Sequence, residues 1–180
     1  IVSKSLWHNE WYNRIMPKIT LLLHNIRSTH NVGAIFRTAE GFGVQQIILS
    51  GYTPYPKTTN DPRLPHIADK LTSQIHKTAL GAEYMVSFKY YETLDEWLSL
   101  NNDTTKLPIV GLEQSDRSVM LPNFTPPEEF ALLLGEEVHG IENQYLSSCD
   151  HLIEIPMHGQ KESFNVSVAT GIALYGLNYK

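Results

Sequence analysis

The stretch "IEIPMHGQKESFNVSVATGIALYG", Ile153 to Gly176, decides how this chain is read. An apolar run stops at Pro156, a polar loop containing Gly159 follows, and Ser163 opens a long segment of helical composition. Proline ends a strand because it has no N–H for the ladder, glycine lets a loop bend, and serine caps helices. The order is therefore strand, loop, helix, with a helix expected over 163–177 and Ser163 as its cap. Asn165 and Ser167 stand among Val166, Val168, Ala169, Ile172, Ala173 and Leu174, which are apolar or small on nearly every side. Such a helix is expected to be buried, and its polar groups then need partners. Gly171, Ala173 and Gly176 would let another helix approach closely, which fits a subunit interface.

Working outward, short apolar runs alternate with helical patterns along the chain. Strands are expected at Lys18–Asn25, Gln45–Ser50, Val86–Tyr91, Leu107–Glu113, Phe130–Gly135 and His151–Pro156. Several are apolar continuously, as in parallel strands covered on both faces. Helices are expected at Val32–Phe42, Thr93–Leu100 and Glu142–Ser147, and the proline-rich Gly51–Pro65 as a surface loop. The alternation predicts an α/β fold, a mostly parallel sheet flanked by helices. Ligands of open α/β sheets gather where strands run out into loops, which directs attention to the junctions.

Besides the opening stretch, two junctions stand out. In "HNIRSTHNVGAIFRTAEGFGV", His24 to Val44, Asn31 is a candidate N-cap and Ile35, Ala39 and Phe42 form one apolar stripe. Arg37 points away from that stripe, with Gly33 and Gly41 one turn to either side, so that a phosphate or ribose could approach its guanidinium. A solvated surface arginine is the alternative. In "LLLGEEVHGIE", Leu132 to Glu142, an apolar run ends in Gly135, two carboxylates follow, and Gly140 permits a tight turn that lets a ligand lie against backbone. Taken alone, adjacent glutamates in a loop are ordinarily solvated.

The 180 residues are most simply one domain, large enough to bury a core. The single cysteine, Cys149, excludes an internal disulfide and a cysteine-built zinc site, suits a reducing compartment, and reads as a buried structural thiol. No metal site is expected. No apolar run reaches the roughly 20 residues that span a bilayer, and the opening residues are too polar and aromatic for a signal peptide. A soluble, cytoplasmic protein is expected, with sequence upstream of Ile1 left open. The formal charge of −5 divides unevenly. Residues 1–80 hold nine Lys and Arg against four Asp and Glu, whereas residues 81–180 hold five against fifteen. A basic half could face phosphates, unless sequence halves do not map onto surface faces.

Taken in order, the three junctions resemble the SpoU/TrmH family of RNA ribose methyltransferases, of the SPOUT superfamily. The matching residues are Asn31, Gly33 and Arg37–Ala39, then Gly135, Glu137 and Gly140, then Ile155–Met157, Gly159 and Ser163–Ala169. The resemblance implies a catalytic core over 18–180 behind an N-terminal extension over 1–17, a deep trefoil knot in the C-terminal part, a homodimer, and S-adenosyl-L-methionine held in the knot loops. It implies cofactor binding by Gly111, Leu112, Leu134, Gly135, Gly140, Ile155, Met157, Ser163 and Phe164. It implies a catalytic set of Arg37, Asn31, Glu137, Ser163 and Asn165. An arginine holds its proton to a pH above ~12, so Arg37 is expected to orient the substrate phosphate and stabilise oxyanion charge, with the proton acceptor left open. Glu136, where the family often has asparagine or a small residue, and Phe164, in place of the commoner leucine, depart from the pattern. The substrate implied is RNA, tRNA or rRNA, because DNA lacks the 2′-hydroxyl. The RNA-facing residues expected from the basic half are Arg14, Lys18, Arg27, Arg37, Lys57 and Arg63. A noncatalytic RNA-binding protein retaining the fold is the alternative reading.

Overall fold

The structure, a computed structural model, describes residues 16–179. In chain order the elements are β1 (Lys18–His24), α1 (Thr29–Gly41), β2 (Gln46–Ser50), α2 (Pro65–Ala79), β3 (Phe88–Tyr91), α3 (Leu94–Asp103), β4 (Ile109–Leu112), β5 (Val119–Met120), β6 (Glu129–Leu134), α4 (Asn143–Leu146), β7 (His151–Glu154) and α5 (Val166–Asn178). The strands form one seven-stranded sheet in the order β3-β2-β1-β6-β4-β7-β5. Every neighbouring pair is parallel. The expected mostly parallel sheet flanked by helices is therefore present, with each expected strand within three residues of its anticipated ends.

The continuous apolar runs have the anticipated cause. Leu21 and Leu23 of β1 face a core shared with Ile35, Phe36, Ile75 and Leu174, while Leu22 faces a second core with Trp97, Leu133 and Tyr145. Alternate residues of one strand thus fill opposite faces, and both faces are covered. Burial of each such side chain contributes roughly 1.5–3 kcal/mol.

Three local expectations are corrected. Ser28, rather than Asn31, caps α1, its Oγ accepting the Asn31 N–H at 3.2 Å. Asn31 sits inside the helix, which leaves its side chain free for the site. At the C-terminal helix the cap is Asn165 rather than Ser163, with Oδ1 accepting the Ser167 N–H at 3.0 Å. Ser163 lies outside the helix, which starts at Val166. Nor is α5 buried on nearly every side: Thr170, Ala173, Leu174 and Leu177 face the core, whereas Val168 and Tyr175 are 50% and 63% exposed. Its apolar composition covers two faces, of which one chain buries only one.

Helix α2 was not anticipated. Its N-terminus carries Pro65 in the first turn, and it buries only small or isolated side chains, Ala68, Ile75 and Ala79. It lies against α1 at Gly33, where an added Cβ would overlap the Ile75 carbonyl and the Thr78 hydroxyl. Gly33 therefore serves close helix packing rather than ligand access to Arg37. Gly41 is open as expected, with nothing near its Cβ position.

Candidate active site

The C-terminal ends of β6, β4 and β7 lie side by side, and the loops leaving them enclose a cavity of about 460 Å3. Leu112, Leu134, Ile155, Met157 and Phe164 are among its apolar lining, and Glu113, Glu136, Glu137, Glu154 and Glu162 give the lining an acidic character. The loop after β6 is held by a backbone pair: Glu136 N–H donates to the Gly140 carbonyl at 3.0 Å and Gly140 N–H returns the bond at 2.9 Å. This turn requires Gly140 at φ +68°. A Cβ on Gly135 would overlap the Gly140 carbonyl group, so backbone alone forms that wall. Glu113 braces the turn from β4, its Oε2 accepting the Ile141 N–H at 2.7 Å.

At the rim, the three junctions are joined by a chain of polar contacts. Glu137 Oε1 accepts the Ser28 N–H at 3.2 Å and the Asn31 amide at 3.0 Å, while its Oε2 accepts the Arg27 N–H at 3.1 Å. Asn31 Oδ1 in turn accepts from the Asn165 amide at 3.1 Å. Asn165 Oδ1 accepts from the Ser167 hydroxyl at 2.7 Å. Partial burial pushes the Glu137 carboxyl up, but the donors from Arg27, Asn31 and Ser28 outweigh it and leave it below the usual carboxylate range. The Arg27 guanidinium lies 3.1 Å from Glu136 Oε1, a second tie between the same two loops.

Among the expected cofactor residues, Leu112, Leu134, Gly135, Gly140, Ile155, Met157, Ser163 and Phe164 line the cavity. Gly111 does not. It faces the other side of the sheet, where a Cβ would come within 2.8 Å of Leu152 and 2.9 Å of Cys149 Sγ, so its small size serves core packing. Cys149 is partly buried there, its thiol donating to the Tyr145 carbonyl at 3.4 Å. Burial, with Asp150 nearby, pushes the thiol up to about 11.

Of the expected catalytic residues, Glu137, Ser163 and Asn165 line the cavity and Asn31 is bonded to two of them. Arg37 is exposed on α1 and is not part of the lining. The expected RNA-facing cations are scattered. Lys18 starts β1 at the opposite end of the sheet, 3.7 Å from Glu129. Lys57 pairs with Asp69 at 2.8 Å, and Arg63 with Asp61 at 2.6 Å. Arg14 lies outside the described residues.

Sequence reasoning missed the hub at Asn25. This residue adopts the left-handed conformation, φ +59°, directly after β1. Its amide group lies 3.0 Å from His24 Nε2 and donates to Glu142 Oε1 at 2.9 Å, while its Oδ1 accepts the Tyr52 N–H at 3.3 Å. His24 itself is buried, with Nδ1 2.9 Å from Ser50 Oγ. Burial lowers its pKa despite Glu142. An asparagine at a strand-to-loop junction was the available signal, since asparagine tolerates this backbone.

The fold is one seen among methyltransferases. A solved AdoMet-bound rRNA methyltransferase from Sinorhizobium meliloti superposes with a TM-score of 0.73 at 22% identity, covering 89% of this chain and 56% of that one. The SpoU methyltransferase AviRb from Streptomyces viridochromogenes superposes at 0.69 and 22% identity, over 89% and 58%. Residues 18–175 match the model of the SpoU rRNA Methylase family, and the chain belongs to that family. Two relatives, both 23S rRNA (guanosine-2′-O-)-methyltransferases RlmB, are those of Coxiella burnetii and Nitrosomonas europaea. The first is 32% identical over 90% of this chain, the second 33% over 88%. The chain spans little more than half of their lengths, 58% and 55%.

Proposed function

We propose that this chain transfers a methyl group from S-adenosyl-L-methionine to a ribose 2′-hydroxyl of RNA, in rRNA or tRNA. The observation that carries this reading is the relay Glu137–Asn31–Asn165–Ser167 at the rim of a cavity that joins an apolar wall and glycine backbone to an acidic lining. The residues present fit the cofactor. Leu112, Leu134, Ile155, Met157 and Phe164 offer apolar surface for an adenine, Gly135 and Gly140 expose backbone to it, and the acidic residues Glu154 and Glu162 of the lining complement a sulfonium. The cofactor supplies an electrophilic methyl group; the protein supplies alignment and charge.

Glu137, held ionised by its three donors, fixes the amide of Asn31. Asn31 then orients the Asn165 amide, and Ser163 stands beside it in the cavity wall. These groups position the ribose hydroxyl against the methyl group. Arg37 anchors the neighbouring phosphate and stabilises charge developing on the oxygen. Arg27, paired with Glu136, ties the rim loops together rather than meeting a phosphate. Lys57 and Arg63 act on RNA only through the loop they brace, and Lys18 and Arg14 are candidate distal contacts.

The catalytic core is residues 18–180, and two copies meet across the exposed apolar side of α5, where Val168 and Tyr175 lie. A homodimer also accounts for Arg37, which lies outside the cavity lining of its own chain. The interleaved strand order β6-β4-β7-β5 supports a C-terminal trefoil knot. Among the described residues no helix is long and apolar enough to cross a membrane, and no cluster of His, Cys, Asp and Glu could hold a metal ion. We place the protein in the cytoplasm.

The test is methyl transfer from labelled S-adenosylmethionine to total RNA lacking its native modifications. Label at ribose 2′-oxygens, lost in Arg37→Ala, is expected. Cofactor binding without transfer to any RNA would favour the noncatalytic reading instead.

A further inference from the structure

Across the first turn of α1 from the cavity lies a second concavity, of about 490 Å3, at the C-terminal ends of β2 and β3. Its floor is a fixed stack. The Arg63 guanidinium carbon sits 3.5 Å from the centroid of the Tyr55 ring, and Tyr55 stacks on Tyr90 with centroids 4.1 Å apart. Arg63 also donates to Asp61 and to the Tyr55 carbonyl, and Tyr90 donates to the Gly51 carbonyl. The charge of Arg63 is thus neutralised, and both faces of the Tyr55 ring are occupied.

Tyr52, by contrast, is 56% exposed, although its backbone is anchored to Asn25. Among the described residues, neither its hydroxyl nor the side-chain amide of Gln74, which lines the same groove, is engaged in a hydrogen bond. An anchored, exposed tyrosine next to an unengaged donor and acceptor suits a flat ligand with a hydrogen-bonding edge. The surroundings disfavour an anion. Glu136, Glu137 and Glu142 act on the Tyr52 phenol, and Arg27, the nearby cation, is paired with Glu136.

We propose that this groove binds an unpaired nucleobase of the RNA, stacked on Tyr52 with its edge toward Gln74. Arg27 lines the groove and ties to Glu136 and Glu137 of the first cavity, so the base belongs to a nucleotide close to the one presented for methylation. The inference rests on the RNA substrate proposed above. Single-stranded RNA is commonly held by such stacking, which tolerates any base.

The experiment measures binding of short fluorescein-labelled oligouridylate and oligoadenylate by anisotropy, with the first cavity saturated by S-adenosylhomocysteine. Tyr52→Ala is expected to weaken binding about tenfold or more and Tyr52→Phe to keep it. Gln74→Ala should weaken it less, and an abasic oligoribonucleotide should bind the unchanged protein and Tyr52→Ala alike. S-adenosylhomocysteine affinity by calorimetry should be the same throughout, which also verifies folding. Equal oligonucleotide binding by Tyr52→Ala and the unchanged protein, or no oligonucleotide binding at all, overturns the nucleobase site. Failure of the unchanged protein to bind S-adenosylhomocysteine overturns the methyltransferase reading instead.

Discussion

A carboxylate that receives three N–H donors is a poor proton acceptor and a good brace, and Glu137 is placed to act as the latter. Replacing it by glutamine sets an amide N–H₂ against those donors. Glu137→Gln is expected to lower methyl transfer by about tenfold or more while S-adenosylmethionine affinity changes little, as measured by initial rates and calorimetry. The depressed pKa also fixes a sign. Glu137 contributes stability that is fully present above the unfolded carboxylate pKa near ~4.3 and lost as the pH falls through the folded value. The stability gap between the protein and Glu137→Gln should therefore shrink on acidification, never widen, in urea titrations at a series of pH values. At Gly135 the constraint is steric. A methyl group there must displace the Gly140 turn, so Gly135→Ala is expected to cost roughly 1–3 kcal/mol and to abolish cofactor binding.

The elements explain what the sequence displays and what it hides. Strands buried on both faces announce themselves as apolar runs, which is why β1, β2, β4, β6 and β7 are readable from composition. Helix α2 does not, because it meets α1 at Gly33 with the backbone of Ile75 and Ala79 and the Thr78 hydroxyl, and close backbone approach leaves no large apolar stripe. The two-residue β5 carries no periodicity at all. The caps were misread for one reason: Ser28 and Asn31, or Ser163 and Asn165, are equally good capping types, and only backbone geometry chooses between them. Gly111 packs against Leu152 and Cys149 instead of lining the cavity, a distinction invisible in sequence because a glycine under a packed side chain looks the same as one beside a ligand. The segment before α2 carries a prediction of its own. Arg63 and Asp61 are largely buried, and the hydrogen bond from Arg63 holds the Asp61 carboxyl well below the usual range. Arg63→Ala leaves that charge without its partner, and a loss of roughly 2 kcal/mol is expected in chemical denaturation.

For the whole molecule, the exposed apolar side of α5 and the position of Arg37 outside its own cavity lining are two faces of one expectation. Val168→Glu together with Tyr175→Glu should convert the protein to a monomer by analytical ultracentrifugation and lower transfer more than it lowers cofactor affinity. Mixing inactive Arg37→Ala and Asn165→Ala subunits should rebuild one of the two sites in each heterodimer, about a quarter of the unchanged activity in an equimolar mixture, if Arg37 serves the cavity of the other copy; no recovery would assign it to its own.

The pairing of β1 with β6 bears on how the molecule comes into being. Lys18 lies in register with Glu129, and the relay couples Asn31 to Asn165, so the middle of the sheet and the rim of the cavity both wait for chain made more than a hundred residues later. The β1–β2–β3 half can pair while still emerging from the ribosome, but its central edge stays open until β6 arrives. Contacts of such long span close slowly. The cavity is thus assembled last, and a partly synthesised chain carries an unpaired, strongly apolar strand edge that invites aggregation or the attention of a chaperone.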